Sequence, residues 1–262
     1  MRTRGAFWRN EYASRLRLDA ALDVEAASLL PVGVAAGRIR ILDVGSGPIS
    51  GLGVTHNGKH LDVTAADPLA GAYQRMYVEF KVAPPIPVTL AFAEDLTAFF
   101  EKDGFDLVVC QNALDHTFDP WRALRQMIEV SKPGGFVLLR HARNEAENEC
   151  YSGLHQWNLD ASPDGDFIIW NKHSSVNVTQ NLAGQVHVRL VESAPEHIVV
   201  TLSKGPGTVL FDADDARVRL RELLVEMSDT AVSLGREGLL LRACFTLQTY
   251  TQYAFKKLTG LF

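Results

Sequence analysis

Residues 39–53 read IRILDVGSGPISGLG, an apolar run that ends on Asp43 and passes directly into a glycine-spaced turn. Such a run reads as a buried parallel strand, and Gly45 and Gly47 allow a tight turn with close backbone approach to a ligand at the strand's carboxyl end. Residues 59–66 (KHLDVTAA) read as a second strand, and Asp67 follows it, 24 residues beyond Asp43. An acid at that point accepts hydrogen bonds from ribose hydroxyls, so the two strands predict a ribose-bearing cofactor without naming it. The strict Gly-x-Gly-x-x-Gly pattern is not met, because its third position is Ser50 and Gly51 falls one residue late. No Gly-x-x-x-x-Gly-Lys-Ser/Thr phosphate loop occurs, and kinase and NTPase readings fall away.

The partners are narrowed by composition. A formal charge of −5, with no basic run long enough to track phosphates, argues against duplex DNA or bulk RNA as substrate. Three cysteines, Cys110, Cys150 and Cys244, lie far apart and give neither a disulfide framework nor zinc spacing, which suits a reducing cytosol. The first 30 residues carry charge throughout, and nowhere do 18 apolar residues run together, so a cytoplasmic chain without stable membrane insertion is expected. At 47% hydrophobic residues, the 262-residue chain can bury the core of one domain of about 200 residues plus appendages.

The chain divides into three parts. Residues 1–37 mix Phe7, Trp8, Tyr12, Leu16, Leu18 and Leu22 with charges in a roughly helical pattern that ends near Pro31 and Gly33. This leader reads either as a lid over the cofactor or as a helix packed on the sheet edge. Residues 38–203 alternate apolar runs with helical segments, including 121–130 after Asp119-Pro120, as in a doubly wound α/β domain. Residues 204–262 turn helical after Gly205-Pro206-Gly207, with two closing helices expected. The final FKKLTGLF reads as a packing or oligomerisation surface in preference to a peripheral membrane contact, because Lys256 and Lys257 make a thin basic face.

Further motifs follow in order: AEDL at 93–96, FDLVVCQNALDHTFDP at 105–120 and SKPGGFVLL at 131–139. With ILDVGSGP and AADP before them, the set resembles the class I S-adenosylmethionine-dependent methyltransferases over about residues 39–202. The resemblance implies a Rossmann-like, mostly parallel seven-stranded sheet with helices on both faces, closed by strands at 186–191 and 197–202, one of them antiparallel. It implies S-adenosylmethionine as cofactor. Gly45, Ser46 and Gly47 would pass under the methionine part, Asp43 would reach its ammonium, Asp67 would hold the ribose, and Asn112 would join the same site. Glu94 or Asp95 would face the adenine, with both open because Phe92 stands where many relatives carry an acid.

Methyl transfer to a hydroxyl needs a group that takes its proton. His116 after strand four and His141 after strand five are the candidate bases, and Asp115 is their candidate orienting partner. Between strand five and the closing strands, residues 140–184 are too long for a plain connection. His141, Glu145 and Glu149 are spaced for one helical face, and Glu145, His155, Trp157 and Asn158 set hydrogen-bonding groups beside flat apolar surfaces. That mixture suits a small-molecule or glycan-like acceptor, with methylation expected at oxygen. The competing reading is an acidic helix followed by a small hairpin with core tryptophans. Asp115, His116, His141 and Glu145 could converge on a divalent ion, but no close ligand spacing such as His-Glu-x-x-His occurs and no metal is expected. A catalytically silent protein of the same fold and a nicotinamide-dependent oxidoreductase are the rival functions.

Overall fold

The computed structural model describes residues 13–33 and 38–208. These lie in Met1–Phe211, the first of two compact units; the second, Asp212–Phe262, falls outside the described residues, as do the expected closing helices, Phe7, Trp8 and Tyr12.

A seven-stranded sheet organises the unit. Its strands are β1 (Arg40–Val44), β4 (Asp62–Ala66), β5 (Val88–Thr89), β6 (Phe105–Gln111), β7 (Ser131–Ala142), β11 (Val186–Ser193) and β12 (His197–Lys204). The spatial order is β11-β12-β7-β6-β1-β4-β5, and all pairings are parallel except the two that β12 makes with β7 and β11. Strand order reverses beside β1, next to β6, which opens a crevice at the carboxyl ends of these two strands. Residues 59–66 prove not to be one strand: β2 (Thr55–His56) and β3 (Lys59–His60) form a small antiparallel ribbon before β4 starts.

Two cores cover the two faces. Leu42, Val44, Val108, Cys110, Val137 and Leu139 point to one, while Ile41, Leu107, Val109 and Leu138 point to the other, as the two-residue period of a strand requires. Helix α2 (Ala70–Phe80) follows β4, and on the first face lies α3 (Pro120–Val130). Asp119 caps it by accepting from the Arg122 N–H at 2.9 Å, Pro120 opens it, and Ala123, Leu124, Met127 and Ile128 recur at helical spacing as its buried stripe. Each of the larger apolar chains contributes about 1.5–3 kcal/mol by leaving water.

The leader packs on the second face through Leu22, Ala26 and Leu30. Among the described residues it forms a 3-10 turn at Ser14–Leu16 and one short helix, α1 (Val24–Ser28), and no long helix. The backbone of residues 20–22 instead runs beside Val54 and Thr55: Val54 and Thr55 N–H donate to the Ala20 carbonyl, and Leu22 N–H donates to that of Thr55. Arg140 of β7 holds α1 from the sheet through Asp23 and Glu25.

Residues between β7 and β11 also depart from the sequence expectation. Strand β7 continues to Ala142, so His141 is a strand residue, and helix α4 is a single turn, Glu145–Asn148. His141, Glu145 and Glu149 therefore share no helical face. The remainder is a three-stranded antiparallel meander, β8 (Asn158–Ala161), β9 (Phe167–Trp170) and β10 (Ser175–Asn177), followed by a short helix, Val178–Asn181. Leu159, Phe167, Ile169 and Val178 of this segment are buried in the first core, with Trp157 packed against it. None of the helices among the described residues is long and apolar enough to cross a membrane.

Candidate active site

The glycine loop after β1 forms the floor of a cleft of about 240 Å³ lined by Arg15, Asp43, Gly45, Ser46, Gly51, Leu52, Gln111 and Asn112. Gly45 and Gly47 both have positive φ, +69° and +66°. A Cβ on Gly45 would collide with the Cβ of Ala113, so the glycine lets the loop after β6 close onto the loop after β1. A Cβ on Gly47 would meet nothing within 4 Å, so its positive φ, not crowding, calls for glycine there.

Asp43 is 4% exposed, and burial pushes its carboxyl up to about 6, against the Ser50 hydrogen bond and the charge of Arg15, which act the other way. Ser50 Oγ donates to it at 2.6 Å and accepts from Leu52 N–H at 3.1 Å. The residue that breaks the glycine fingerprint thus anchors the acid at the strand end. Asp67 accepts from Gly47 N–H at 3.0 Å and from Leu69 N–H at 2.8 Å, which fixes its carboxylate against the loop while each oxygen keeps a lone pair. Asn112, at φ +47°, lines the cleft and accepts from Ala142 N–H at 2.9 Å.

An acid, a bare backbone turn and a cation at one end suit an amino-acid group, since the carboxylate of Asp43 matches an ammonium and the guanidinium of Arg15 matches a carboxylate. Arg15 was not among the residues singled out from the sequence. It stands 28 positions before Asp43, and nothing in its local pattern marks it as a cleft residue.

Glu94 is directed elsewhere: its Oε1 accepts from Phe118 N–H at 2.9 Å, its carbonyl accepts from buried Arg122, and burial raises its carboxyl above the usual range. Asp95 is also buried, within the 3-10 segment Ala93–Ala98. Neither lines the cleft.

A second polar centre lies in the loop after β6. The turn Leu114–His116 presents Asp115 and His116, and the segment after α4 returns to it, with Gln156 N–H donating to the Asp115 carbonyl at 3.3 Å. His155 Nδ1 lies 2.8 Å from Asp115 Oδ2, His116 Nε2 lies 3.2 Å from that same nitrogen, and His116 Nε2 lies 3.4 Å from Asp115 Oδ2. Asp115 is buried, whereas both imidazoles are part-exposed. Burial lowers the His116 imidazole below its ordinary value, more than Asp115, Glu145 and Asp67 raise it.

His141 follows Val137 and Leu139 on the same face, but is 3% exposed, and its two ring nitrogens have no hydrogen-bond partner among the described residues. Burial pushes it down to about 4. It is neutral near pH 7 and too weakly basic to carry a proton away, which counts against its expected role as a base. Trp157 packs a partly buried ring against the first core. Asn158 is fully buried, accepting from Glu147 N–H and donating to the Tyr151 hydroxyl, each at 3.0 Å, so its amide is spent inside the segment. Of the expected acceptor residues, Glu145 and His155 remain beside the polar centre.

The strand order and the cleft at its switch point define a class I doubly wound α/β domain of the kind that binds a ribose-bearing cofactor. Residues 42–139 match the family model described as "Methyltransferase domain". Over this span the chain is similar to the methyltransferase domains, and the match supports S-adenosylmethionine as the cofactor. No curated protein matches the chain. Similar solved structures include the YcgJ protein from Bacillus subtilis, at 15% identity and TM-score 0.45 over 66% of this chain and 94% of that one. An S-adenosylmethionine dependent methyltransferase from Mesorhizobium loti aligns at 18% identity and TM-score 0.40 over 71% of this chain and 99% of that one. The 16S rRNA N2 G1207 methyltransferase of T. thermophilus, in complex with AdoMet and guanosine, aligns at 16% and 0.40 over 72% of this chain and 41% of that one.

Proposed function

We propose that the protein transfers the sulfonium methyl group of S-adenosylmethionine to a hydroxyl of a small, polar, glycan-like acceptor. The observation that carries the reading is the convergence of one buried carboxylate and two imidazoles, Asp115, His116 and His155, on the loop that leaves β6 beside the cofactor cleft. Such a centre activates a hydroxyl, whereas a transfer that needs alignment alone has no use for it. Asp43 takes the ammonium, Arg15 the carboxylate and Asp67 the ribose, while Gly45, Ser46, Gly47 and Asn112 form the wall. The adenine side falls to the segment that holds Glu94 and Asp95. The acidic balance of the chain favours a small acceptor over a nucleic acid.

The test has two stages. Calorimetric titration with S-adenosylhomocysteine should give one site per chain. Methyl transfer from labelled S-adenosylmethionine should then be scored over a panel of polyols, sugars, phenols and amines. Product confined to amines or carbon acids would overturn the hydroxyl reading.

A further inference from the structure

Resting on that reading, we propose that Asp115, His116 and His155 are the ligands of a divalent first-row transition-metal ion, which binds the acceptor hydroxyl and lowers its pKa. The three ligand atoms form a triangle with edges of 2.8, 3.2 and 3.4 Å. Ligands about 2.1 Å from one ion stand roughly 3.0 Å apart at right angles and roughly 3.4 Å apart at the tetrahedral angle, so the edges are those of one face of a coordination shell.

Hydrogen bonding alone serves these atoms poorly. Once His155 Nδ1–H donates to Asp115 Oδ2, that nitrogen has no lone pair to offer His116 Nε2, and the remaining path from His116 to the carboxylate is the longest edge, 3.4 Å. A cation in the face satisfies all three lone pairs at once. A further buried imidazole lies nearby: Asp115 and His116 are close enough to His141 to act on it electrostatically.

The donor set selects the ion class. Two imidazoles with one carboxylate suit Mn²⁺, Fe²⁺, Co²⁺ or Zn²⁺ better than Mg²⁺ or Ca²⁺, which favour oxygen ligands. Three protein ligands on one side leave the other side open to an exchangeable oxygen. The part-exposed histidines sit on that accessible side, and Asp115 anchors the site from within.

The reaction balances with the ion as a Lewis acid. The acceptor hydroxyl coordinates and its proton leaves to solvent. The oxygen lone pair forms the new C–O bond as the methyl–sulfur bond breaks with its electrons kept by sulfur. The products are the methyl ether, S-adenosylhomocysteine and the released proton, and no redox partner is involved.

Cobalt(II) is the probe, added to metal-stripped full-length protein and followed by its d–d absorption, with Zn²⁺ and Mn²⁺ in competition. One equivalent should bind, and His155→Ala and Asp115→Asn should each weaken binding by ~100-fold or more while circular dichroism stays unchanged. A His173→Ala, His197→Ala control should bind as the parent does. No saturable cobalt binding, or binding that these ligand variants leave intact, overturns the site. Saturable binding lost in the ligand variants supports the site even if no hydroxyl acceptor is found, whereas hydroxyl methylation at full rate in stripped protein overturns the metal's role and leaves the acceptor reading standing.

Discussion

Ser50 Oγ donates a 2.6 Å hydrogen bond to Asp43, tying the residue that interrupts the glycine pattern to the acid that ends the first strand. Burial outweighs this bond and holds the carboxyl near 6 without a ligand. An arriving ammonium requires the ionised form, so cofactor binding should release a proton below about pH 6 and weaken as pH falls from 7 to 5. Calorimetry of S-adenosylhomocysteine binding in buffers of different ionisation enthalpy at pH 5.5 and 7.5 reads this directly. Ser50→Ala should move the weakening to higher pH, and an unchanged profile would show that Asp43 does not meet the ammonium.

Asp43 also makes the ligand-free protein pH-sensitive. Its folded pKa of about 6 exceeds the ordinary 3.8, so between these values the folded state binds more protons than the unfolded state and stability falls as pH rises. Above that window the ionised, buried acid costs on the order of 3 kcal/mol. Asp43→Asn should therefore melt at a higher temperature than the parent at pH 7.5, with the difference vanishing near pH 4, while cofactor affinity drops. Equal melting temperatures at pH 7.5 would contradict the assignment.

Gly45→Ala meets two obstacles, the positive φ and the Ala113 Cβ. A loss of about 2–4 kcal/mol is expected, and adding Ala113→Gly should recover the steric part but leave about 1 kcal/mol of backbone strain. Chemical denaturation of the two single variants and the double variant separates the terms.

His116→Ala and His155→Ala should each lower turnover by about 10²-fold or more with S-adenosylhomocysteine affinity changed less than about threefold. His141→Phe is expected to keep the fold, because it replaces a ring buried on the apolar face of β7 with an apolar one of similar size. Turnover retained in both alanine variants would remove the polar centre from the reaction.

Arg140→Ala should release the leader helix from the sheet, since it removes the contacts to Asp23 and Glu25 together. A loss of about 1–2 kcal/mol is expected, with faster hydrogen exchange confined to residues 13–33 and the adjoining loop. Exchange that rises evenly over the whole sheet would show instead that Arg140 supports β7.

The parallel strands and α3 were legible because their signals are local: an apolar run, a cap with proline after it, a glycine turn. The closing strands came from the family resemblance instead, and each extends two residues further, to Ser193 and Lys204. Residues 141–149 misled because Glu145 and Glu149 repeat at helical spacing, whereas pairing of His141 with Ile198 keeps the backbone extended. The partnership of His155 with Asp115 spans 40 positions, and that of Arg15 with the cleft is set by where residues 20–22 dock. No short-range pattern encodes such meetings.

Gly53 lies directly against the leader, where a Cβ would strike the Ala21 backbone. On the leader side the join is made by main chain, which takes hydrogen bonds from the Val54 and Thr55 N–H groups and the Thr55 hydroxyl. It asks little of the side chains at 20 and 21 and much of position 53. A library randomised across this seam should therefore accept wide variety on the leader strand and return glycine at the facing position, making one hydrogen atom the fastener between the leader and the cofactor loop.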